Sequence, residues 1–175
     1  MTIINLETLE SLLEHNSKVA VDIYEKDKNL TAMIIGYSPD NKTRYCFPGI
    51  FRDQDEKRKF LQLVTIGFAA LGVDKYAVVC ESWGVEGSDL DRQKYPDFSK
   101  HPNRVECLMI IAVNKLGNRV RMYKIKNKKL EFWYDDGNTV AGIFVELLPK
   151  VKIPKAIGKS VLDLLKQSGV TAEEL

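Results

Sequence analysis

The spacing of apolar residues predicts an α+β domain. Its expected parts are a mostly antiparallel sheet of about five to seven strands, a long helix over about 53–71 packed on one face, and shorter N- and C-terminal helices. Three observations carry this expectation. Phe60, Leu63, Val64, Phe68 and Leu71 mark one apolar helical face behind a capping pair, Asp53 and Glu56, with Gly72 as the stop. Two apolar strands, Tyr76–Cys80 and Cys107–Val113, flank a polar loop and carry charged residues at their neighbouring ends. Strands at Arg119–Lys126 and Leu130–Tyr134 then follow through short turns, Leu116-Gly117-Asn118 and Asn127-Lys128, as in an antiparallel meander.

The remaining elements are read in chain order. Asn5 is a suitable N-cap, and Leu6, Leu9, Leu12 and Leu13 recur at helical spacing until Asn16 interrupts them. Val19, Val21 and Ile23 alternate with polar residues, which reads as a strand or as an extension of the opening helix. Asp27-Lys28-Asn29 turns the chain into a strand at Leu30–Ile35. Ser38–Lys42 is a turn cluster before a short strand, Thr43–Phe47, closed by Pro48-Gly49. Gly67 interrupts the long helix at a cost of about 1 kcal/mol relative to Ala, which a close approach to the sheet would explain. Asp135–Asn138 breaks the last strand, and Val140–Leu148 is apolar and ambiguous between strand and helix. Residues 1–148 therefore read as one domain. Residues 149–175 read as a basic linker and an amphipathic helix that either docks on the domain or pairs with a second copy.

Composition narrows the function classes. Three cysteines without CxxC spacing argue for a reducing cytoplasm and against a zinc ribbon. The N-terminus lacks a signal peptide's basic and apolar regions, and no apolar run approaches the ~20 residues of a membrane span. A soluble cytoplasmic protein is expected, with no membrane partner and no cofactor implied. Net charge is +2, but residues 115–170 hold twelve Lys/Arg against five Asp/Glu. That basic third is compatible with an acidic partner.

The strand ends at Glu81-Ser82-Trp83 and His101–Glu106 form the first candidate site. Alternation puts Glu81 and Trp83 on one face of the first strand, and Arg104 and Glu106 on one face of the second. One reading is a binding pocket of Glu81, Trp83, His101, Arg104 and Glu106. The plainer one is that Arg104 pairs with Glu81, Glu106 or both and anchors the loop. A metal-dependent hydrolase would use Glu81, Glu106 and His101, with Asp89 or Asp91, although Arg104 beside the carboxylates opposes a cation.

A second candidate is the basic hairpin, whose Arg119, Arg121, Lys124, Lys126, Lys128 and Lys129 precede Phe132-Trp133-Tyr134. Cations beside aromatics suit a nucleic acid, but these cations fall on both strand faces and the aromatics are consecutive. Gly158-Lys159-Ser160 imitates a phosphate loop. It lacks the first glycine, since Ile153 stands there, followed by Pro154 with no N–H to offer.

Glu81-Ser82-Trp83, Phe98–Glu106 and the apolar strand after them resemble a family of uncharacterised small proteins from bacteria, phages and mobile elements. Its members show a Glu-Ala-Trp-like triplet, then a Pro-Ser-x-His-Pro-x-Arg-x-Glu-like segment. Ser82 replaces Ala and Phe98 replaces Pro here, and the likeness covers roughly residues 30–125. It implies a phage or mobile-element context and no particular activity. The sequence thus points to a non-enzymatic interaction protein, an accessory factor binding a host protein or nucleic acid. A small metal-dependent hydrolase or nuclease is the alternative.

Overall fold

A computed structural model describes residues 6–87, 93–137, 143–150 and 154–175. Seven strands form one antiparallel sheet: β1 (Met33–Tyr37), β2 (Thr43–Pro48), β3 (Lys75–Gly84), β4 (Val105–Asn114), β5 (Gly117–Lys126), β6 (Lys129–Gly137) and β7 (Thr171–Glu174). Their spatial order is β6-β5-β4-β3-β1-β2-β7, so β3 to β6 are the expected meander. Among the described residues no helix is long and apolar enough to cross a membrane.

Helix α1 (Leu9–Asp27) covers one face of the sheet, and α2 (Gln54–Leu71) the other. The division follows from strand alternation. Ile35, Tyr37, Val79, Leu108, Ile110 and Ala112 pack with α1, whereas Ile34, Phe47, Tyr76, Val78, Ile111 and Val120 pack with α2. The expectation of a dominant middle helix over shorter flanking ones needs correction, because α1 has 19 residues and α2 has 18. Helix α1 runs straight through the Val19–Ile23 alternation. Its buried face is Leu12, Leu13, Asn16, Ser17, Ala20 and Tyr24, a helical period in which three members are polar or amphipathic. Thr8 is the N-cap, exchanging hydrogen bonds with Ser11; Asn5 lies outside the described residues.

Asn16 does not end the helix. Its buried Nδ2 donates to Leu12 O at 2.8 Å, and its Oδ1 accepts from Tyr37 OH at 2.8 Å, so both ends of the amide are satisfied.

Asp53 caps α2 by accepting from the Asp55 and Glu56 amides. Glu56 turns instead to Arg52, accepting its backbone N–H at 2.8 Å and its guanidinium. Gly67 is where α2 meets two neighbours: a Cβ there would stand 2.9 Å from the Phe47 ring and 3.0 Å from Leu165. Close packing of helix on sheet, and of helix on helix, requires the missing side chain.

Leu165 belongs to α3 (Lys155–Gln167), which packs beside α2 on the same face. Strand β7 then adds to the edge of β2, with Arg44 bonded to Glu173. Residues 155–174 therefore dock on the sheet of the same chain. Between β6 and α3 the chain makes a 3₁₀ turn at Ile143–Val145, held to the sheet by Tyr76, whose hydroxyl donates to Phe144 O at 2.7 Å and accepts from the Leu147 amide at 3.2 Å. The rest of the ambiguous Val140–Leu148 stretch begins outside the described residues. Strand β6 continues through Asp135 and Asp136 to Gly137, past the expected break.

Candidate functional site

The register of β3 and β4 decides what the first candidate site is. Trp83 lies opposite Glu106, and Glu81 lies opposite Leu108. Trp83, Glu81 and Glu106 therefore share the α1 face, as alternation requires, but the two carboxylates are offset along it. Glu81 is turned inward, where its Oε1 accepts the Leu30 amide at 2.6 Å and fixes the entry into β1. Tyr24 of α1 is close enough to feel both carboxylates. Burial, then the charges of Glu81 and Glu106, push its phenol above its ordinary pKa.

Arg104 makes no ion pair with Glu81 or Glu106. Its guanidinium stacks over the Trp83 indole at 5.0 Å from the ring centroid, and Nη1 reaches His101 O only at 3.5 Å. The anchoring ion cluster expected from sequence is thus replaced by a cation–π stack at the surface. Trp83 keeps 41 % of its area exposed.

His101 is not a free imidazole. It is buried, its Nδ1 accepts the Asn103 amide at 3.0 Å, and its ring sits edge-on to Tyr95 at 4.6 Å. Its backbone closes a short 3₁₀ turn, Phe98–Lys100, capped by Asp97 accepting the Ser99 amide at 2.9 Å. Hydrogen bonds from the Ser99 hydroxyl and then its amide hold the Asp97 carboxyl below its usual pKa. His101 therefore shapes the loop. The structure brings Trp83 and Arg104 together at the surface, but leaves Glu81, Glu106 and His101 in separate roles. Among the described residues no three His, Cys, Asp or Glu side chains are grouped to hold a metal ion. Asp89 and Asp91 lie outside the described residues.

Beside Trp83 runs an open groove of about 420 Å³, walled by Ser82, Gln54 at the start of α2, and Pro96–Ser99 of the loop. The sequence reading passed over Gln54 and Asp97, since only tertiary packing sets the first turn of α2 beside the end of β3.

The basic hairpin is largely neutralised within the fold. Arg119 and Arg121 face α1 and bracket Asp135 on the neighbouring strand at 3.0 and 2.8 Å. The same guanidiniums reach across to α1, Arg119 to Glu10 at 2.5 Å and Arg121 to Glu14 at 2.6 Å. Burial works against the Arg121 charge, yet Glu14 and Asp135 outweigh it and raise its pKa. Lys124 points to the other face, pairing with Glu86 and lying 5.1 Å from the Trp133 ring centroid. Trp133 in turn covers Gly84, where a Cβ would be only 2.7 Å from the indole. Lys126 pairs with Glu131 at 2.9 Å. Lys128 and Lys129 sit exposed at the tip, so the six cations do not form one phosphate-facing stripe. Glu10 and Glu14 were legible as an i,i+4 pair, but nothing in the sequence placed them opposite β5.

The three thiols are unpaired. Burial pushes Cys80 up to about 11 and Cys107 up to about 12, which leaves both protonated and weakly nucleophilic at neutral pH. No protein-family model, curated protein or solved structure matches this chain.

Proposed function

We propose that this protein is a non-enzymatic binding protein that docks a host protein through the Trp83–Arg104 platform and the groove beside it. The observation that supports this most is the exposed Trp83 indole with Arg104 stacked on it rather than paired to Glu81 or Glu106. Tryptophan and arginine are the residue types that dominate interface hot spots, because a rigid aromatic plane and a planar cation bury large areas at low entropic cost. The adjoining groove supplies the concave surface such an anchor needs. A protein partner is favoured over nucleic acid because Arg119, Arg121, Lys124 and Lys126 are already occupied by carboxylates. The phage or mobile-element setting, and the cytoplasmic location with it, rest on the resemblance and composition of the sequence.

Affinity enrichment from host cells with the wild-type chain, folded Trp83→Ala and folded Arg104→Ala tests the proposal. One protein held by the wild type and lost with both variants supports it. Equal recovery with all three chains, or no specific protein with any, counts against it.

A further inference from the structure

A second cavity lies on the α2 face of the sheet, between the first turns of α2 and the ends of β1 and β3, and adjoins the groove beside Trp83 at Ser82. It encloses about 260 Å³. Ile34, Val78 and Met109 line it from the strands, and Phe51, Phe60 and Phe144 from the chain above them. Protein interiors are normally packed without such voids. For comparison, a dry cavity of about 150 Å³ already admits benzene.

Among the described residues one cation, Lys57, lines this apolar space. Lys57 is half-buried, its Nζ lies 4.6 Å from the Phe144 ring centroid and 5.9 Å from that of Phe51, and it has no carboxylate partner among the described residues. Its neighbours differ: Arg52 pairs with Glu56, and Arg58 with Asp55. Burial raises the Cys80 thiol on the cavity wall, and the Lys57 charge opposes that rise, so the ammonium's field reaches into the space. Glu81 also lines the rim, but its side chain turns to the α1 face, where Oε1 accepts the Leu30 amide.

We propose that this cavity binds a small aromatic carboxylate, with its ring among Ile34, Met109 and the three phenylalanines and its carboxylate on Lys57. A single ammonium at the lip of an apolar wall matches one negative charge on an apolar body. A phosphate calls for several convergent cationic donors, and among the described lining residues Lys57 is the only cation. The pocket shares Ser82 with the groove beside Trp83 but is probed by a small ligand alone, so its test does not depend on the proposed protein partner.

The experiment is a titration of the full chain with 3-phenylpropionate and with its neutral amide, followed through the Ile34 and Met109 methyl resonances. The acid shifts these methyls saturably and binds about tenfold more tightly than the amide, the value of one charge-assisted hydrogen bond. Lys57→Met loses that advantage, while Lys57→Arg keeps it. Equal affinity for acid and amide overturns the proposal, as does unchanged binding in Lys57→Met. So does the lack of a saturable methyl shift up to about 1 mM ligand. The acid–amide comparison uses the wild-type chain alone, so it decides the matter even if Lys57→Met does not fold.

Discussion

Arg104 lies over the face of Trp83 at 5.0 Å, although two carboxylates, Glu81 and Glu106, lie on the same side of the adjoining strands. An exposed cation–π contact contributes about 0.5–1 kcal/mol, whereas breaking a buried ion pair costs about 3–5 kcal/mol. Arg104→Ala should therefore lower unfolding stability by under about 1 kcal/mol in urea denaturation. A loss of several kcal/mol would show that the guanidinium is pinned by carboxylates after all.

Gly67→Ala tests the approach of α2 to its neighbours. Alanine gains about 1 kcal/mol of helix propensity, but its methyl would enter the space of the Phe47 ring and Leu165. Overpacking of this kind costs about 1–3 kcal/mol, so a net loss of about 1 kcal/mol is expected on thermal or urea unfolding. A more stable variant would contradict the close packing of α2, β2 and α3.

Asp135 ties β5 to β6 and orients the two arginines that hold α1. The Arg121 and Asp135 side chains retain 11 % and 17 % exposure, so Asp135→Asn should cost about 2 kcal/mol at pH 7, below the value for a fully buried pair. Burial pushes this carboxyl up, but Arg121 and Arg119 outweigh it and hold it below its ordinary 3.8. A depressed carboxylate stabilises the fold in full above its unfolded pKa and stops doing so as pH falls through its folded value. The stability gap between wild type and Asp135→Asn should be flat from neutral pH down to about 5 and close below 3.8. A gap that widens on acidification would reverse the assigned sign.

Tyr37→Phe removes the only donor to the buried Asn16 Oδ1 among the described residues. An orphaned buried acceptor costs about 1–3 kcal/mol, while replacing both partners by apolar groups restores much of that. Denaturation of Tyr37→Phe, Asn16→Leu and the double variant should show the double variant more stable than the sum of the two losses implies. Strict additivity would mean that the two side chains do not depend on each other.

The parts of the fold that were readable had patterns matching their own geometry. Helix α2 shows its cap, apolar face and glycine stop in order, and β4 to β6 are short-range strands joined by turns. Helix α1 was harder because half of its buried face is Asn16, Ser17 and Tyr24, whereas Val19, Val21 and Ile23 alternate like a strand without forming one. Strand β7 was invisible for another reason: Thr171–Glu174 has little strand character and pairs only because α3 delivers it to the edge of β2. At the candidate site, the sequence located the residues but not their partners. Glu81 faces Leu108 and Trp83 faces Glu106, a registration that turns an expected ion cluster into an aromatic platform.

The most direct test of that platform is photo-crosslinking in host cells with a benzophenone side chain at position 83, compared with position 116. Leu116 is 84 % exposed in the turn between β4 and β5, at the opposite end of these strands from Trp83, and serves as the exposed control. A docking surface at Trp83 predicts a discrete crosslinked protein from position 83, weakened by Arg104→Ala, and none from position 116. The same products from both positions, or none from position 83, would contradict it.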